Sequence, residues 1–167
     1  RSIGSTPTIV HGGDLAGITE IRPGVYLFGD LFQMQLEACA LDDIAVTVLA
    51  TVISVDPGHN RFVIDAGGLA LSKDRSTEAS AIDYGYGLVV RADGTPFAGT
   101  PVVRVVHQEH GTVEGAGPLP FGDLRVGTQV RVLPNHACMT AAPYDCYHVV
   151  EEGTERVVGR WAKTRGW

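Results

Sequence analysis

The sequence predicts a mainly β protein, an antiparallel β-barrel or sandwich of about eight strands. Runs of β-branched and aromatic residues recur along the chain at strand length, and turn-forming residues separate them. The 21 glycines and 9 prolines supply those turns. Hydrophobic residues make up 44% of the 167 residues, which suffices for one well-buried core.

The predicted strands begin after residue 20. Residues 1–20 are rich in Gly, Ser and Thr and lack a helical or strand period, so they are predicted to form a loop. The predicted strands lie at residues 25–28, 45–55, 61–65, 87–91, 102–106, 129–133, 147–150 and 156–158. The turn signal at residues 56–60 joins two of them in a hairpin. A helix is indicated only near residues 31–41, and residues 115–123 are expected to form a loop at the rim.

Charge and hydropathy exclude several classes of protein. The net charge is −6 and the chain has two lysines, Lys73 and Lys163, so binding to the phosphate backbone of a nucleic acid is disfavoured. No apolar run approaches the roughly 20 residues that a membrane span requires, and no signal peptide is evident. The three cysteines do not form a disulfide framework, which favours a reducing compartment. We expect a cytoplasmic protein.

The segment Pro134–Thr140 places an imidazole and a thiol two residues apart, at His136 and Cys138. In an extended segment these side chains point to the same face. Imidazole nitrogen and thiolate sulfur together suit a divalent ion such as Zn²⁺, and two protein ligands leave positions open for water or substrate. The pair therefore predicts a catalytic metal site. The alternative is a buried cysteine beside a hydrogen-bonded histidine.

A second cluster of polar groups lies at the start of the chain. Gly4, Ser5 and Thr6 offer hydroxyl groups and unhindered backbone N–H groups, which suit an anion such as phosphate. Clusters of these residue types are also common in ordinary turns, so the residues alone leave both interpretations open.

Several segments together resemble a known family. They are residues 4–8, 17–30, 48–54, 65–67, 108–111, 134–140 and 165–166. In this order they are similar to the C-terminal part of D-threonine aldolases and eukaryotic-type D-serine dehydratases. Those proteins are pyridoxal-phosphate (PLP) enzymes of the alanine-racemase fold type. The resemblance covers nearly the whole chain, which makes it more specific than any single motif.

The resemblance implies a division of the chain into two parts. Residues 1–20 would be the remnant of a (β/α)₈ barrel, namely its last loop and a linker, and residues 21–167 would be the C-terminal β domain. The start at Arg1, directly before a Gly-Ser-Thr-Pro motif, also suggests a piece of a longer polypeptide. The expected partners are the N-terminal barrel domain, a D-amino-acid substrate and a second copy in a homodimer.

The resemblance also assigns the PLP-binding residues. It implies that the loop of Gly4, Ser5 and Thr6 holds the cofactor phosphate and that Gly24 completes the cradle, because glycine allows close approach of the backbone. Tyr26 is assigned to the same site, although a strand residue of this type is commonly part of a core.

His136 and Cys138 match the metal ligands of the family, with Zn²⁺ or Mn²⁺ as the expected ion. A metal-binding imidazole normally needs an acceptor for its other ring nitrogen. Asp145 and Glu109 are the expected acceptors.

The implied function is that of a PLP- and metal-dependent lyase acting on β-hydroxy D-amino acids. D-Threonine aldolase is slightly preferred over D-serine dehydratase, and an amino-acid racemase comes third. Neither Lys73 nor Lys163 lies in the setting of the PLP lysine, so that lysine and the catalytic base are expected in the barrel and this chain alone is expected to be inactive. The competing interpretation is a non-catalytic β domain that binds a metal or a partner only.

Overall fold

The computed structural model describes residues 1–164. Residues 165–166, the last segment of the family resemblance, lie outside the described residues. The elements are β1 (Ser2–Gly4), α1 (Thr6–His11), β2 (Glu20–Arg22), α2 (Leu31–Gln35), β3 (Val48–Asp56), β4 (Arg61–Ile64), α3 (Gly68–Leu71), β5 (Gly87–Arg91), β6 (Pro101–Val106), β7 (Gly111–Gly115), β8 (Gln129–Pro134), α4 (Ala137–Ala141), β9 (Cys146–Val150) and β10 (Val157–Ala162).

Six of these strands close into an antiparallel barrel, in the order β3, β4, β7, β6, β5, β8. The predicted fold class is therefore confirmed. β9 and β10 form a separate antiparallel pair. β7 was missed by the sequence analysis, because glycines at both of its ends obscure the alternation around Val113, which is fully buried.

Alternation along the strands fills the barrel. In β3 the side chains of Val48, Ala50 and Val52 are buried, whereas Leu49 between them is exposed. The interior cluster is completed by residues of the other strands and of the loops that close the ends: Phe62, Ile64, Ala66, Leu71, Val89, Phe97, Val103, Val106, Val113, Leu119, Leu124, Val130 and Val132.

A second apolar cluster lies outside the barrel. Leu88 and Val90 of β5 alternate with the inward-facing Val89, and Leu31 and Ile44 of the preceding segment cover them. β5 is therefore buried on both faces, which explains its continuous apolar run. This packing fixes the segment that contains α2 against the barrel.

The first 20 residues are not a loop, contrary to the prediction. β1 and β2 pair in parallel, with Gly4 opposite Arg22, and α1 connects them. Ser5 caps α1, since its Oγ accepts a hydrogen bond from the Thr8 backbone N–H at 3.3 Å. Pro7 favours the helix start. The predicted domain boundary at residue 20 stays a prediction, and β2 spans it.

Two further elements differ from the prediction in the next segment. Residues 25–28 were expected to be a strand, but Val25–Leu27 forms a 3₁₀-helix. The helix expected at 31–41 is limited to α2, because Glu37 adopts a left-handed conformation with φ 55°. A second 3₁₀-helix, Leu41–Asp43, follows.

Gly67 is a position where a side chain does not fit. A Cβ there would lie 2.4 Å from the His110 backbone nitrogen and 2.5 Å from the His107 carbonyl oxygen. We therefore expect Gly67→Ala to lower the free energy of unfolding by about 1–3 kcal/mol through overpacking, measured by denaturant unfolding. Gly122→Ala is the matched control, since no heavy atom lies within 4 Å of its Cβ position. Equal stability of the two variants would contradict the close approach.

Candidate functional site

The Pro134–Thr140 segment follows directly from the barrel strand β8. Asn135, the first residue after β8, is almost fully buried. Its side-chain amide donates to Thr77 Oγ1 at 2.7 Å and to the Gly85 carbonyl at 2.6 Å, and its oxygen accepts from the Thr77 N–H at 3.2 Å. These bonds fasten the loop between α3 and β5 to the end of β8.

That loop supplies the partner of His136. The Nδ1 of His136 donates to Asp74 Oδ2 at 2.5 Å, so Nε2 is the ring nitrogen left for another ligand. The predicted acceptors, Asp145 and Glu109, do not take this place. Asp74 was missed because it lies 62 residues earlier in the chain, and only the closed barrel brings it to His136.

Cys138 lies in a different local structure from the one predicted. His136 is extended, with φ −138° and ψ 105°, but it is the N-cap of α4, and Cys138 lies in the first turn of that helix. The argument from strand spacing was therefore wrong. Cys138 is exposed at the surface, and partial desolvation, followed by the negative charge of Asp30, raises the pKa of its thiol.

Two contacts hold α4 in place. The Thr140 hydroxyl donates to the Leu71 carbonyl of α3 at 3.0 Å. At the same, C-terminal end of the helix, Lys163 Nζ donates to the Ala141 carbonyl at 2.7 Å. A cation at the C-terminal end of a helix is favourable, so this lysine has a structural role.

Asp30 is a further acidic group beside this segment, and the sequence analysis assigned it no role. Its side chain is fully buried. One oxygen, Oδ1, accepts from the Gln33 N–H at 2.7 Å and thereby caps α2, and the other, Oδ2, accepts from the Ala137 N–H at 2.9 Å. Burial raises the pKa of this carboxyl group, and the hydrogen bonds to Ala137 and Gln33 oppose that rise.

The residues predicted to bind phosphate come together at one end of the β1–β2 pair. Gly4 ends β1 and lies opposite Arg22, the last residue of β2, so Ser5 and Gly24 follow two adjacent strand ends. A Cβ at Gly24 would meet no heavy atom within 4 Å, which leaves its backbone open to a ligand.

The two hydroxyl groups of this loop differ in their surroundings. Ser5 Oγ lies 2.7 Å from Thr8 Oγ1. Thr6 Oγ1 is buried and has no hydrogen-bond partner within residues 1–164. An unpaired buried hydroxyl is costly, so this atom is suited to an acceptor supplied from outside the chain. Tyr26 is 61% exposed, and the interpretation of this residue as part of a core is wrong.

Within the described residues, no cluster of three or more His, Cys, Asp or Glu side chains has the arrangement of a metal site. None of the helices there is long and apolar enough to cross a membrane. The metal site predicted at His136 and Cys138 stays a prediction.

Comparison with known proteins identifies the family. A family model described as a putative serine dehydratase domain matches residues 45–150, which include the barrel, the Asp74–His136 pair and Cys138. The chain belongs to this family.

Two relatives with a stated activity are dehydratases. The D-threo-3-hydroxyaspartate dehydratase of Delftia sp. is 38% identical over 99% of this chain, and its solved structure superposes with a TM-score of 0.89. The D-serine dehydratase of Dictyostelium discoideum is 35% identical over 99% of this chain. The chain spans 44% and 42% of the length of these two relatives.

Two other proteins are similar to this chain in fold or in extent. A D-threonine aldolase from Filomicrobium marinum has a TM-score of 0.69 at 22% identity, so it shares the fold. An uncharacterized protein of Mycobacterium tuberculosis is 36% identical over 81% of this chain, and the match covers 93% of that protein. The predicted family resemblance is confirmed.

Proposed function

We propose that this chain is the C-terminal, metal-binding part of a PLP-dependent dehydratase that acts on β-hydroxy D-amino acids. The observation that carries the proposal is the Asp74–His136 hydrogen bond, which orients the imidazole and leaves Nε2 for an ion beside Cys138. A carboxylate on the far nitrogen is the usual support of a metal-binding histidine.

The donor set fits a divalent metal. His136 Nε2 and Cys138 Sγ would hold the ion, and the thiolate favours Zn²⁺ over Mn²⁺. Solved structures of the Delftia dehydratase include a His→Ala variant and a Cys→Ala variant described as metal-free, and the two replaced residues lie two positions apart in that protein. The same spacing separates His136 from Cys138, which supports the assignment.

The loop after β1 fits the phosphate of PLP. The unpaired Thr6 hydroxyl, the Ser5 hydroxyl and the open backbone at Gly24 would bind the phosphate, with Gly4 allowing close approach and Tyr26 lying next to it. When bound, PLP supplies an electron sink for the substrate α-carbon, and the metal supplies a Lewis acid for the β-hydroxyl group. The residues around the phosphate would orient PLP. His136 and Cys138 would hold the metal and thereby place the β-hydroxyl group of the substrate.

The lysine that binds PLP is assigned to an N-terminal barrel. Lys163 is held by the Ala141 carbonyl, and the side chain of Lys73 lies beside Gly68 of α3. A longer protein also agrees with the fraction of the relatives' length that the chain spans.

The exposed apolar side chains of Tyr26 and Leu27 are suited to packing against the barrel. We place the intact enzyme in the cytoplasm as a homodimer.

Dehydration is preferred over carbon–carbon cleavage, which reverses the slight preference from the sequence. The relatives above 30% identity that have a stated activity are dehydratases, whereas the aldolase shares 22%. Both reactions need a polarised β-hydroxyl group, so the site residues alone serve either. A racemase stays the third possibility.

Product analysis tests this proposal. The full-length protein, loaded with PLP and Zn²⁺, is expected to release ammonia and an α-keto acid from D-serine or D-threo-3-hydroxyaspartate. Release of glycine and an aldehyde from a β-hydroxy D-amino acid would instead identify an aldolase. Racemisation without ammonia release would identify a racemase.

A non-catalytic domain is the second candidate, and a specific observation favours it. The match to the M. tuberculosis protein covers 93% of that protein, so a chain close to this domain in extent exists on its own. This candidate predicts metal binding without an aldimine absorbance on addition of PLP and without turnover of any D-amino acid. The same product assay, with an absorbance spectrum, therefore separates the two.

A further inference from the structure

A buried negative charge without a cationic partner lies against the proposed metal ligands. Asp30 is fully buried, and none of the ion pairs among residues 1–164 includes it. Buried carboxylates are normally paired with a cation or contact a metal. The carboxylate of Asp30 accepts hydrogen bonds from two backbone N–H groups, those of Gln33 and Ala137.

We propose that Asp30 is a positioning residue of the cation site, which fixes the backbone between His136 and Cys138 and whose buried charge favours a divalent cation there. This inference rests on the proposed function, because it concerns the same metal. Asp30 binds no ion itself. It acts through the peptide that separates the two ligands.

The geometry supports the positioning role. Oδ2 of Asp30 accepts from the N–H of Ala137, the residue between the two ligands, at 2.9 Å. Ala137 is also where the chain changes from the extended conformation of His136 to the helix α4. A hydrogen bond at this junction restrains the backbone from which both side chains project before an ion arrives. Preorganisation of this kind reduces the entropy that binding would otherwise cost.

The charge supports the electrostatic role. Besides partial desolvation, the negative charge of Asp30 raises the pKa of the Cys138 thiol. In a protein interior a charge is screened less than in water, so a buried carboxylate beside the peptide that joins the two ligands favours a divalent cation there. The buried charge and the cation thereby compensate each other.

Capping of α2 explains only one of the two carboxylate oxygens of Asp30. Capping of α2 uses Oδ1 alone, and a serine would cap the helix about as well as an aspartate. The second oxygen and the negative charge are therefore not needed for the helix. The second oxygen instead accepts from the N–H of Ala137, 107 residues later in the sequence.

The experiment compares Zn²⁺ affinity in the full-length protein, by competition with a chromophoric chelator. Asp30→Asn removes the charge and one of the two acceptor oxygens, and Asp30→Ser removes the charge and the Ala137 bond while it keeps the cap. Both are expected to weaken binding by about 10- to 100-fold, the effect typical of an outer partner of a metal site. Asp43→Asn is the matched control, since Asp43 also accepts a backbone N–H, from Ala40, but does not touch the ligands. It should leave the affinity unchanged.

The outcomes separate this inference from the proposed function. Wild type and His136→Ala with the same negligible affinity would overturn the metal site itself. Tight binding by wild type and by both Asp30 variants would overturn the inference and leave the function intact. Denaturant unfolding of the metal-free variants measures whether loss of the Asp30 carboxylate at the N-cap of α2 lowers the free energy of unfolding. Hydrogen exchange in the metal-free wild type gives a test without substitution, because fast exchange of the Ala137 N–H would contradict the positioning role.

Discussion

The Cys138→Ala variant of the full-length protein is expected to lose its divalent metal and most of its lyase activity while it keeps PLP. The substitution removes one of the two protein ligands. Even the loss of an outer partner of a metal site costs about 10- to 100-fold in metal affinity, so the loss here should exceed about 100-fold. His136→Ala should behave in the same way. Elemental analysis of the purified proteins measures the metal, and absorbance measures the cofactor.

Cys146→Ala is the control for the loss of a thiol. Cys146 begins β9, and its sulfur accepts a hydrogen bond from Arg160 Nε at 3.0 Å, away from α4. This variant should keep its metal. Unchanged metal content in both Cys138→Ala and His136→Ala would remove the basis for the site.

Replacement of the Ser5 and Thr6 hydroxyl groups is expected to have the opposite pattern, with loss of PLP and retention of metal. Each hydrogen bond to a charged group is worth about 1.5–3 kcal/mol, so each change should weaken PLP retention by roughly tenfold or more. Ser5→Ala and Thr6→Val are the informative variants, measured by equilibrium dialysis of PLP.

Thr6→Ser serves as the matched control, since it keeps a hydroxyl at the same position. Thr6→Val should not lower stability without PLP, because the Thr6 hydroxyl is buried without a partner and an apolar replacement of the same shape removes that cost. If Cys138→Ala released PLP and the Ser5 and Thr6 changes altered only the rate, the two sites would have been assigned the wrong way round.

Local patterns were sufficient for five of the six barrel strands, and β7 was the exception. Alternation in β3 and the turn at residues 56–60 predicted a hairpin that the structure contains, because side-chain direction in a strand depends on sequence position alone. They were insufficient for α4. Its five residues are too few for a helical period, and the preceding Pro134 and Asn135 indicated an extended chain.

The ligand pair was predictable from the sequence, but its surroundings were not. His136 and Cys138 are close in sequence, whereas Asp74 reaches His136 from 62 residues away and Asp30 reaches Ala137, which lies between the two ligands, from 107 residues away. The position of Asp30 before an apolar run is a helix N-cap signal, which could have identified its first oxygen. No local signal identifies the partner of its second oxygen.

X-ray absorption at the zinc edge of the metal-loaded full-length protein tests the proposed site most directly. We predict one sulfur ligand at about 2.3 Å and an imidazole nitrogen at about 2.0 Å, with oxygen ligands filling the other positions. In Cys138→Ala the sulfur contribution should disappear. A wild-type spectrum without sulfur, or one with sulfur that persists in Cys138→Ala, would contradict the assignment of the metal to His136 and Cys138.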